Sequence, residues 1–277
     1  MRALKAYLRS PAAVIGSVIL LTVLVMGVGA DWFYPGDPLG LAGRPLQWPG
    51  QNPRFPLGTD SSGRDIAAQL FHGARVSLLI GFVATSIAVV IGIAIGAVAG
   101  FYGGATDTGL MRVTEAFQTL PNFILLLVLV AVFGSTIETV TIAIGIVSWP
   151  PVARLTRAEF LSLRTRDFVQ ACRVQGLSDL HLILREVLPN ALPPVVVYAS
   201  VVMAVAILLE SALAFLELSD PNVSSWGNLI GLGRNVLRTE WYVSAIPGVA
   251  ILLTILGVSL VGQGLNDALN PRLARAR

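Results

Sequence analysis

The sequence predicts an all-α, polytopic membrane protein with six transmembrane helices. Hydrophobic residues make up 55% of its 277 residues and charged residues only 13%, which is about half the charged share of an ordinary soluble domain. The mean hydropathy is +0.75. A water-soluble domain of this length could bury only part of such an apolar surplus, since it would still expose much of its surface. The expected solvent for much of the chain is therefore lipid.

Six apolar segments supply the predicted spans, given that about 20 residues of helix cross the hydrocarbon core. They are residues 11–30, 76–100, 117–134, 139–153, 191–209 and 244–264. The third has Pro121 near its start, and the fourth is short and is interrupted by Pro150 and Pro151. An even number of spans places both termini on the same side of the membrane.

The distribution of positive charge predicts the orientation, because Lys and Arg are enriched in cytoplasmic loops. With the N-terminus inside, 13 of the 19 Lys and Arg residues lie on the cytoplasmic side and 6 lie outside. We therefore expect a multi-pass protein of the cell inner membrane with both termini in the cytoplasm. The alternative for the first 30 residues is a cleavable signal peptide, which would leave five spans.

The predicted topology divides the chain into two parts. Residues 1–75 contain the N-terminal cytoplasmic tail, the first transmembrane helix and a periplasmic segment. Residues 76–277 contain a core of five transmembrane helices. A cytoplasmic loop, residues 154–190, joins the fourth and fifth spans of the chain and is its longest cytoplasmic segment.

Small residues recur at four-residue intervals along the second span. They are Ala88, Gly92, Gly96, Gly100 and Gly104. Residues spaced in this way form one face of a helix, where another backbone can approach closely. We favour packing within this chain over contact with a partner subunit as the purpose of that face.

Several kinds of chemistry are excluded by the residue types that the sequence lacks. Lys5 is the only lysine, and it does not stand in a Gly-Lys-Ser/Thr run, so the chain cannot cradle ATP as a P-loop does. Cys172 is the only cysteine, and His72 and His181 fall on opposite sides of the predicted topology. We therefore predict no catalytic residues, no metal site and no cofactor in this chain. The absence of ionisable residues near the middle of any span disfavours a proton-coupled carrier.

The loop 154–190 has the pattern of two short helices joined by a turn. Good helix formers fill residues 160–175, Gly176 suits the left-handed residue that ends a helix, and Ser178 can cap the next one. We expect the second helix to end at Pro189 and to carry an apolar stripe of Leu180, Ile183, Leu184, Val187 and Leu188.

Such a helical pair can serve three purposes. It can bind a cytosolic protein, or it can be a basic connector that lies on lipid headgroups. A glycine turn between helices also occurs in DNA-binding proteins, but a loop tethered to the bilayer at both ends could hardly enter a major groove. We therefore expect no nucleic-acid partner.

The first helix of this loop and the end of the second carry a recognisable spacing. The loop reads Phe168-Val169-Gln170-Ala171-Cys172-Arg173, followed by Gly176 and Leu188-Pro189. It resembles the EAA loop of binding-protein-dependent ABC importers, whose pattern is Glu-Ala-Ala, three residues, Gly, nine residues, Ile, one residue and Leu-Pro. Gln170, Cys172 and Glu186 depart from that pattern.

Further segments carry the resemblance from the first span almost to the C-terminus. They read PLGTDSSGRD at residues 56–65, AGFYGG at 99–104, SWGN at 225–228 and GLNDALNPR at 264–272. All four are similar to the C-type permease subunits of ABC importers for dipeptides, oligopeptides and nickel. The resemblance implies the type I ABC importer permease fold and a non-catalytic transport subunit that works by alternating access.

The resemblance also implies a solute and a set of partners. The solute would be a di- or oligopeptide, or else nickel or another small solute. A second homologous permease would complete a heterodimer in the lipid bilayer, two cytosolic ATPase subunits would bind the ATP and Mg, and an extracytoplasmic solute-binding protein would deliver the solute. A stand-alone channel or secondary carrier is the alternative, and it would transport without ATP.

The resemblance assigns contact with the ATPase to five positions of the loop. These are Phe168, Gln170, Ala171, Arg173 and Gly176. Gln170 keeps the shape and hydrogen-bonding capacity of the family's glutamate and loses its charge. The strength of any ion pair at that position is therefore reduced.

Overall fold

The computed structural model describes residues 7, 8 and 10–269 of the protein, which are mainly helical. The helices are α1 Pro11–Val28, α2 Ala30–Phe33, α3 Ile66–Tyr102, α4 Gly104–Thr119, α5 Asn122–Phe133, α6 Ile137–Leu163, α7 Asp167–Val174, α8 Asp179–Phe215, α9 Trp226–Gly233 and α10 Tyr242–Leu269. A π turn, Leu182–Val187, lies within α8, and a 3-10 turn, Arg234–Val236, follows α9.

Five of these helices are long and apolar enough to cross a membrane on their own, namely α1, α3, α6, α8 and α10. Helices α4 and α5 meet at a bend of 81° and supply a sixth crossing when the pair is taken as one broken span. The predicted all-α membrane fold is confirmed, with the third span as its irregular member.

The third predicted span, residues 117–134, is not one straight helix. Helix α5 has 12 residues and rises only about 18 Å, short of the ~30 Å hydrocarbon core. The break falls at Leu120, which is extended with φ −88° and ψ 132°. Proline disfavours the helical region for the residue before it, and here Leu120 leaves that region, so Pro121 divides the span instead of opening it.

Three other predicted spans are parts of longer helices. Helix α3 begins at Ile66, where the Asp65 side chain caps it by accepting a hydrogen bond from the Ala67 N–H at 2.8 Å. Helix α6 continues through Pro150 and Pro151, as membrane helices can when neighbouring helices surround them. Helix α8 extends beyond the fifth predicted span at both ends.

The small residues of α3 pack against α6 of the same chain, as we favoured from the sequence. A Cβ atom on Gly92 would lie 2.5 Å from the Val152 Cβ, and one on Gly100 would lie 2.6 Å from the Phe160 Cβ. Such contacts leave no room for side chains at these positions. The two backbones therefore approach closely, and α3 and α6 form the centre of the bundle.

Helix α8 runs between two ends of the bundle, which we call the α7 side and the α9 side after the short helix on each. On the α9 side a turn network holds the chain that leads into α3. The Asp60 Oδ1 accepts hydrogen bonds from the N–H groups of Ser62 and Arg64 at 2.8 and 2.9 Å, and its Oδ2 accepts one from the Gln69 Nε2 at 3.1 Å. This network positions the start of α3.

Candidate functional site

Helix α7 is a short helix that is held against the ends of three long ones. Its buried residue is Val169, with 0% exposure. Val169 belongs to a cluster with Phe101 of α3, Phe160 of α6, and Leu182 and Val187 of α8. Val169 therefore packs α7 against all three long helices.

The five residues that the resemblance assigns to ATPase contact lie together on α7 and the turn that follows it. All five are exposed: Phe168, Gln170, Ala171, Arg173 and Gly176. They form one continuous stretch of surface on the α7 side. Their geometry permits contact with a partner, and their role in coupling is taken up below as a proposal.

Gly176 ends α7 in the left-handed conformation that the sequence predicted, with a φ of +78°. Its N–H donates to the Arg173 carbonyl oxygen at 3.0 Å, and the Leu177 N–H donates to the Cys172 carbonyl oxygen at 3.3 Å. This pair of bonds defines a Schellman turn. Among the described residues, no atom lies within 4 Å of a Cβ added at Gly176. Any penalty for a side chain there comes from backbone conformation and not from packing.

The helix that we expected over residues 160–175 is divided in two. Helix α6 ends at Leu163 and α7 begins at Asp167. The Gln170 side chain bridges the break, since its Nε2 donates to the Arg164 carbonyl oxygen at 2.9 Å. Neither glycine nor proline marks this break, so the composition of the segment concealed it.

Four large apolar side chains are exposed on α7 and at the start of α8. We call them the docking surface, and they are Phe168, Val174, Leu180 and Leu184, exposed by 41%, 90%, 65% and 52%. Exposed arginines lie in the same segments at Arg166, Arg173 and Arg185. A group of exposed apolar side chains on a fixed helix suits contact with another protein.

The predicted apolar stripe of the second helix is only partly right. Ile183 and Val187 are buried, whereas Leu180 and Leu184 face outward and the fully buried neighbour is Leu182. The π turn over Leu182–Val187 explains the difference. Its i→i+5 hydrogen bonds rotate successive side chains away from the 3.6-residue spacing of an α-helix.

The second helix does not end at Pro189, contrary to the prediction, and α8 continues to Phe215. The Leu188 N–H donates back to the Ile183 carbonyl oxygen, five residues earlier. The wide π turn leaves room for the proline ring, which would clash with the carbonyl four residues before it in a regular α-helix. Leu180 and Leu184 of the docking surface therefore share one continuous helix with the fifth span.

Two arginines near the end of α6 tie that helix to the corner between α3 and α4. Arg157 makes a two-pronged ion pair with Asp107 of α4, and its Nη2 lies 2.6 Å from Oδ2. The Arg164 Nη1 donates to the Phe101 carbonyl oxygen at 3.1 Å, beside the turn at Gly103. Sequence reasoning counted both arginines only as positive charge, because nothing local indicated their partners.

The α7 side thus offers a surface for protein contact. Within residues 7–8 and 10–269, no group of three or more His, Cys, Asp or Glu side chains could hold a metal ion. A fixed short helix with exposed apolar side chains is attached there to three spans.

Solved structures share this fold. A chain of the MetNI methionine ABC transporter, in an inward facing conformation, superposes with a TM-score of 0.60 at 18% identity and covers 73% of this chain and 96% of that chain. A second crystal form of the same transporter gives a TM-score of 0.60 at 17% identity. The predicted type I ABC importer permease fold is therefore confirmed.

Sequence relatives make the assignment specific. The profile of the binding-protein-dependent transport system inner membrane component family matches residues 92–275. The di/tripeptide transport system permease protein DppC of Pseudomonas aeruginosa is 37% identical over 98% of this chain and 92% of its own length. The oligopeptide transport system permease protein OppC of Haemophilus influenzae is 35% identical, over 97% and 87% respectively. The chain belongs to this family of inner membrane transport components.

Proposed function

We propose that this chain is the permease subunit of a peptide importer and moves di- or oligopeptides across the inner membrane by alternating access. Two cytosolic ATPase subunits hydrolyse the ATP, and an extracytoplasmic binding protein delivers the peptide. The transport path forms between this chain and a second, homologous permease. The observation that carries the proposal is the docking surface, in a chain whose relatives are named as di/tripeptide, D,D-dipeptide and oligopeptide permeases.

The docking surface supports contact with the ATPase in two ways. Removing the exposed side chains of Val174 and Leu180 from water is favourable, so a partner that covers them gains binding free energy. The buried anchor Val169 then passes the partner's movement to α3, α6 and α8. By this proposal Phe168, Gln170, Ala171, Arg173 and Gly176 are the residues that transmit ATP-driven closure.

A pair of matched substitutions tests this contact. Val174→Asp places a charge at the centre of the docking surface, and Leu237→Asp places the same charge at a side chain that is 50% exposed on the α9 side. We expect only Val174→Asp to abolish co-purification of the ATPase subunits with the permease. If this segment merely lies on lipid headgroups, both variants will retain the ATPase.

The orientation follows from the same proposal and has its own test. With both termini in the cytoplasm, Val174 faces the cytoplasm and Ser62 faces the outside. Single cysteines at these exposed positions, in a Cys172→Ser background, report the side through a membrane-impermeant thiol reagent added to intact cells or to inverted vesicles. Labelling of Ser62→Cys only from the cytoplasmic side contradicts the orientation.

Transport by the complete complex tests the solute and the energy source. The complex is reconstituted in liposomes with the binding protein outside, and uptake of a radiolabelled dipeptide is measured with and without internal ATP. We expect uptake that requires ATP and that excess unlabelled dipeptide blocks. Dipeptide uptake by this chain alone, without ATP, would establish a stand-alone channel or carrier. Inhibition of uptake by Ni²⁺ and not by unlabelled peptides would indicate nickel, instead of a peptide, as the solute.

A further inference from the structure

Helix α8 connects the docking surface with the opposite side of the membrane. It has 37 residues and rises about 55 Å along its axis. Its first turns carry Leu180 and Leu184 of the docking surface, and its last turns carry Glu210 and Ala214. Because the helix is continuous, a movement imposed on its start displaces its far end.

Glu210 is a fully buried carboxylate in the last two turns of α8, with 0% exposure. The predicted fifth span, residues 191–209, ends just before this residue, which the predicted topology places in an outer loop. The Oε1 of Glu210 accepts a hydrogen bond from the Ser225 hydroxyl at 2.6 Å. No partner for its Oε2 is found in the part of the chain that the structure describes.

Ser225 is the N-cap residue just before α9, and it is 2% exposed. Its hydroxyl oxygen accepts a hydrogen bond from the Asn228 N–H at 3.1 Å and so caps α9. The same hydroxyl donates to Glu210. A single buried oxygen atom therefore links the first turn of α9 to the carboxylate of α8.

Helix α9 also lies directly on the backbone of α8. A Cβ atom added to Gly227 would lie 2.9 Å from the Ala214 Cβ, and one added to Gly231 would lie 2.7 Å from the Ala214 carbonyl oxygen. On its other face α9 is fastened to α3, since the Trp226 Nε1 donates to the Leu70 carbonyl oxygen at 2.8 Å. The short helix is thus held against α8 and α3 on the α9 side, and it also packs on α10, where the Ser244 hydroxyl donates to the Ile230 carbonyl oxygen at 3.1 Å.

A buried carboxylate is an unfavourable choice if it serves only to fill space. A leucine would occupy a similar volume and would leave no oxygen without a hydrogen bond, which is costly inside a protein. Ionisable side chains are retained within membrane helices mainly where they serve a function. The position of Glu210, at the contact between α8 and α9, indicates what that function is.

We propose that Glu210 is a positioning residue that acts through Ser225 to make α9 follow α8. Movement of the docking surface then reaches the outer side of the transport path through α8, the hydrogen bond between Glu210 and Ser225 and the contact of α9 with Ala214. The inference rests on the proposed function, because the ATPase supplies the movement. The inference gives the α9 side a role in transport, whereas binding of the ATPase to the docking surface requires no part of the α9 side.

The test compares Glu210→Leu, Glu210→Gln and Ser225→Ala in the reconstituted complex. One readout is the number of peptides imported per ATP hydrolysed. The second is thiol labelling of Asn235→Cys, an exposed position just after α9, in a Cys172→Ser background with and without nucleotide. These readouts separate a loss of coupling from a loss of folding, because both are measured on assembled complexes.

We expect Glu210→Leu and Ser225→Ala to bind the ATPase subunits and hydrolyse ATP but to import about tenfold fewer peptides per ATP, the effect of losing one strong hydrogen bond. Labelling of Asn235→Cys then no longer changes with nucleotide. Glu210→Gln keeps an acceptor for Ser225 and retains most of the coupling. The control is Ser224→Ala, a buried neighbour whose hydroxyl donates to the Gln69 carbonyl oxygen and not to Glu210.

A normal ratio of peptides to ATP in Ser225→Ala, or in an assembled Glu210→Leu complex, overturns the inference. If Glu210→Leu fails to insert, a normal ratio in Ser225→Ala still overturns the inference, since that variant removes both the bond to Glu210 and the cap of α9. A failure of the proposed function looks different. In that case the wild-type chain itself neither binds the ATPase subunits nor depends on ATP for uptake.

Discussion

Replacement of Gly176 by valine tests the turn that joins α7 to α8. Residue 176 has a φ of +78°, where a Cβ costs roughly 1–2 kcal/mol and a branched side chain costs more. Packing adds nothing to this penalty, because an added Cβ meets no described atom within 4 Å. The two hydrogen bonds that close the turn contribute about 1 kcal/mol each. The penalty for valine is therefore about as large as the free energy that stabilises the turn, so we expect the turn to adopt another conformation.

We expect the Gly176→Val chain to insert and to pair with the second permease, because each span satisfies its own backbone hydrogen bonds. Peptide import and stimulated ATP hydrolysis should be lost together. The assay is reconstitution with measured subunit stoichiometry. Gly176→Asn is the matched control, since asparagine tolerates the left-handed region, and it should retain most activity. Import at the wild-type rate by the valine variant refutes a coupling role for this turn.

Three further substitutions test other contacts. Gln170→Glu loses a hydrogen bond to a main-chain carbonyl, which a carboxylate cannot donate; the cost of about 1 kcal/mol at an exposed site should lower import less than tenfold. Asp107→Ala removes the two-pronged partner of Arg157, which should cost about 2 kcal/mol and weaken ATPase stimulation, and exchanging the two residues should restore part of it. Gly96→Val forces a side chain against α6, where an added Cβ lies 2.9 Å from the Arg157 N, so the amount of protein in the membrane should fall. The control is Gly109→Ala, which should not change that amount because an added Cβ there meets no described atom within 4 Å.

Each of these predictions can fail in its own way. A loss of ATPase binding beyond tenfold in Gln170→Glu means that the binding site on the ATPase requires a neutral side chain at this position. Unchanged stimulation of ATP hydrolysis in Asp107→Ala means that the ion pair between Asp107 and Arg157 is not needed for coupling. Normal insertion of Gly96→Val means that the close approach of α3 and α6 is not required for assembly.

Features that depend on neighbouring residues in the chain were predictable. Apolar length located α1 and α10, and the left-handed Gly176 followed from its place between two helices. The Ser178 cap is also present, because the Ser178 side chain accepts a hydrogen bond from the His181 N–H at 3.4 Å. In each case the physical cause lies within a few residues.

Features that depend on distant residues were missed. The sequence places Glu210 just after the fifth predicted span, whereas in the structure α8 continues past it and buries its carboxylate against Ser225. The ion pair of Asp107 and Arg157 joins residues fifty positions apart. The prediction that the second helix ends at Pro189 was wrong, because a π turn makes room for the proline ring and no residue pattern indicates that turn.

The most direct test of the central claim is a contact measurement at the docking surface. A photo-reactive amino acid is placed at Val174, which is 90% exposed, and the assembled complex is irradiated in its native membrane. We predict a cross-link to an ATPase subunit, which weakens when ATP changes the conformation of the complex. A cross-link to lipid alone, or to the extracytoplasmic binding protein, would contradict the assignment of this surface.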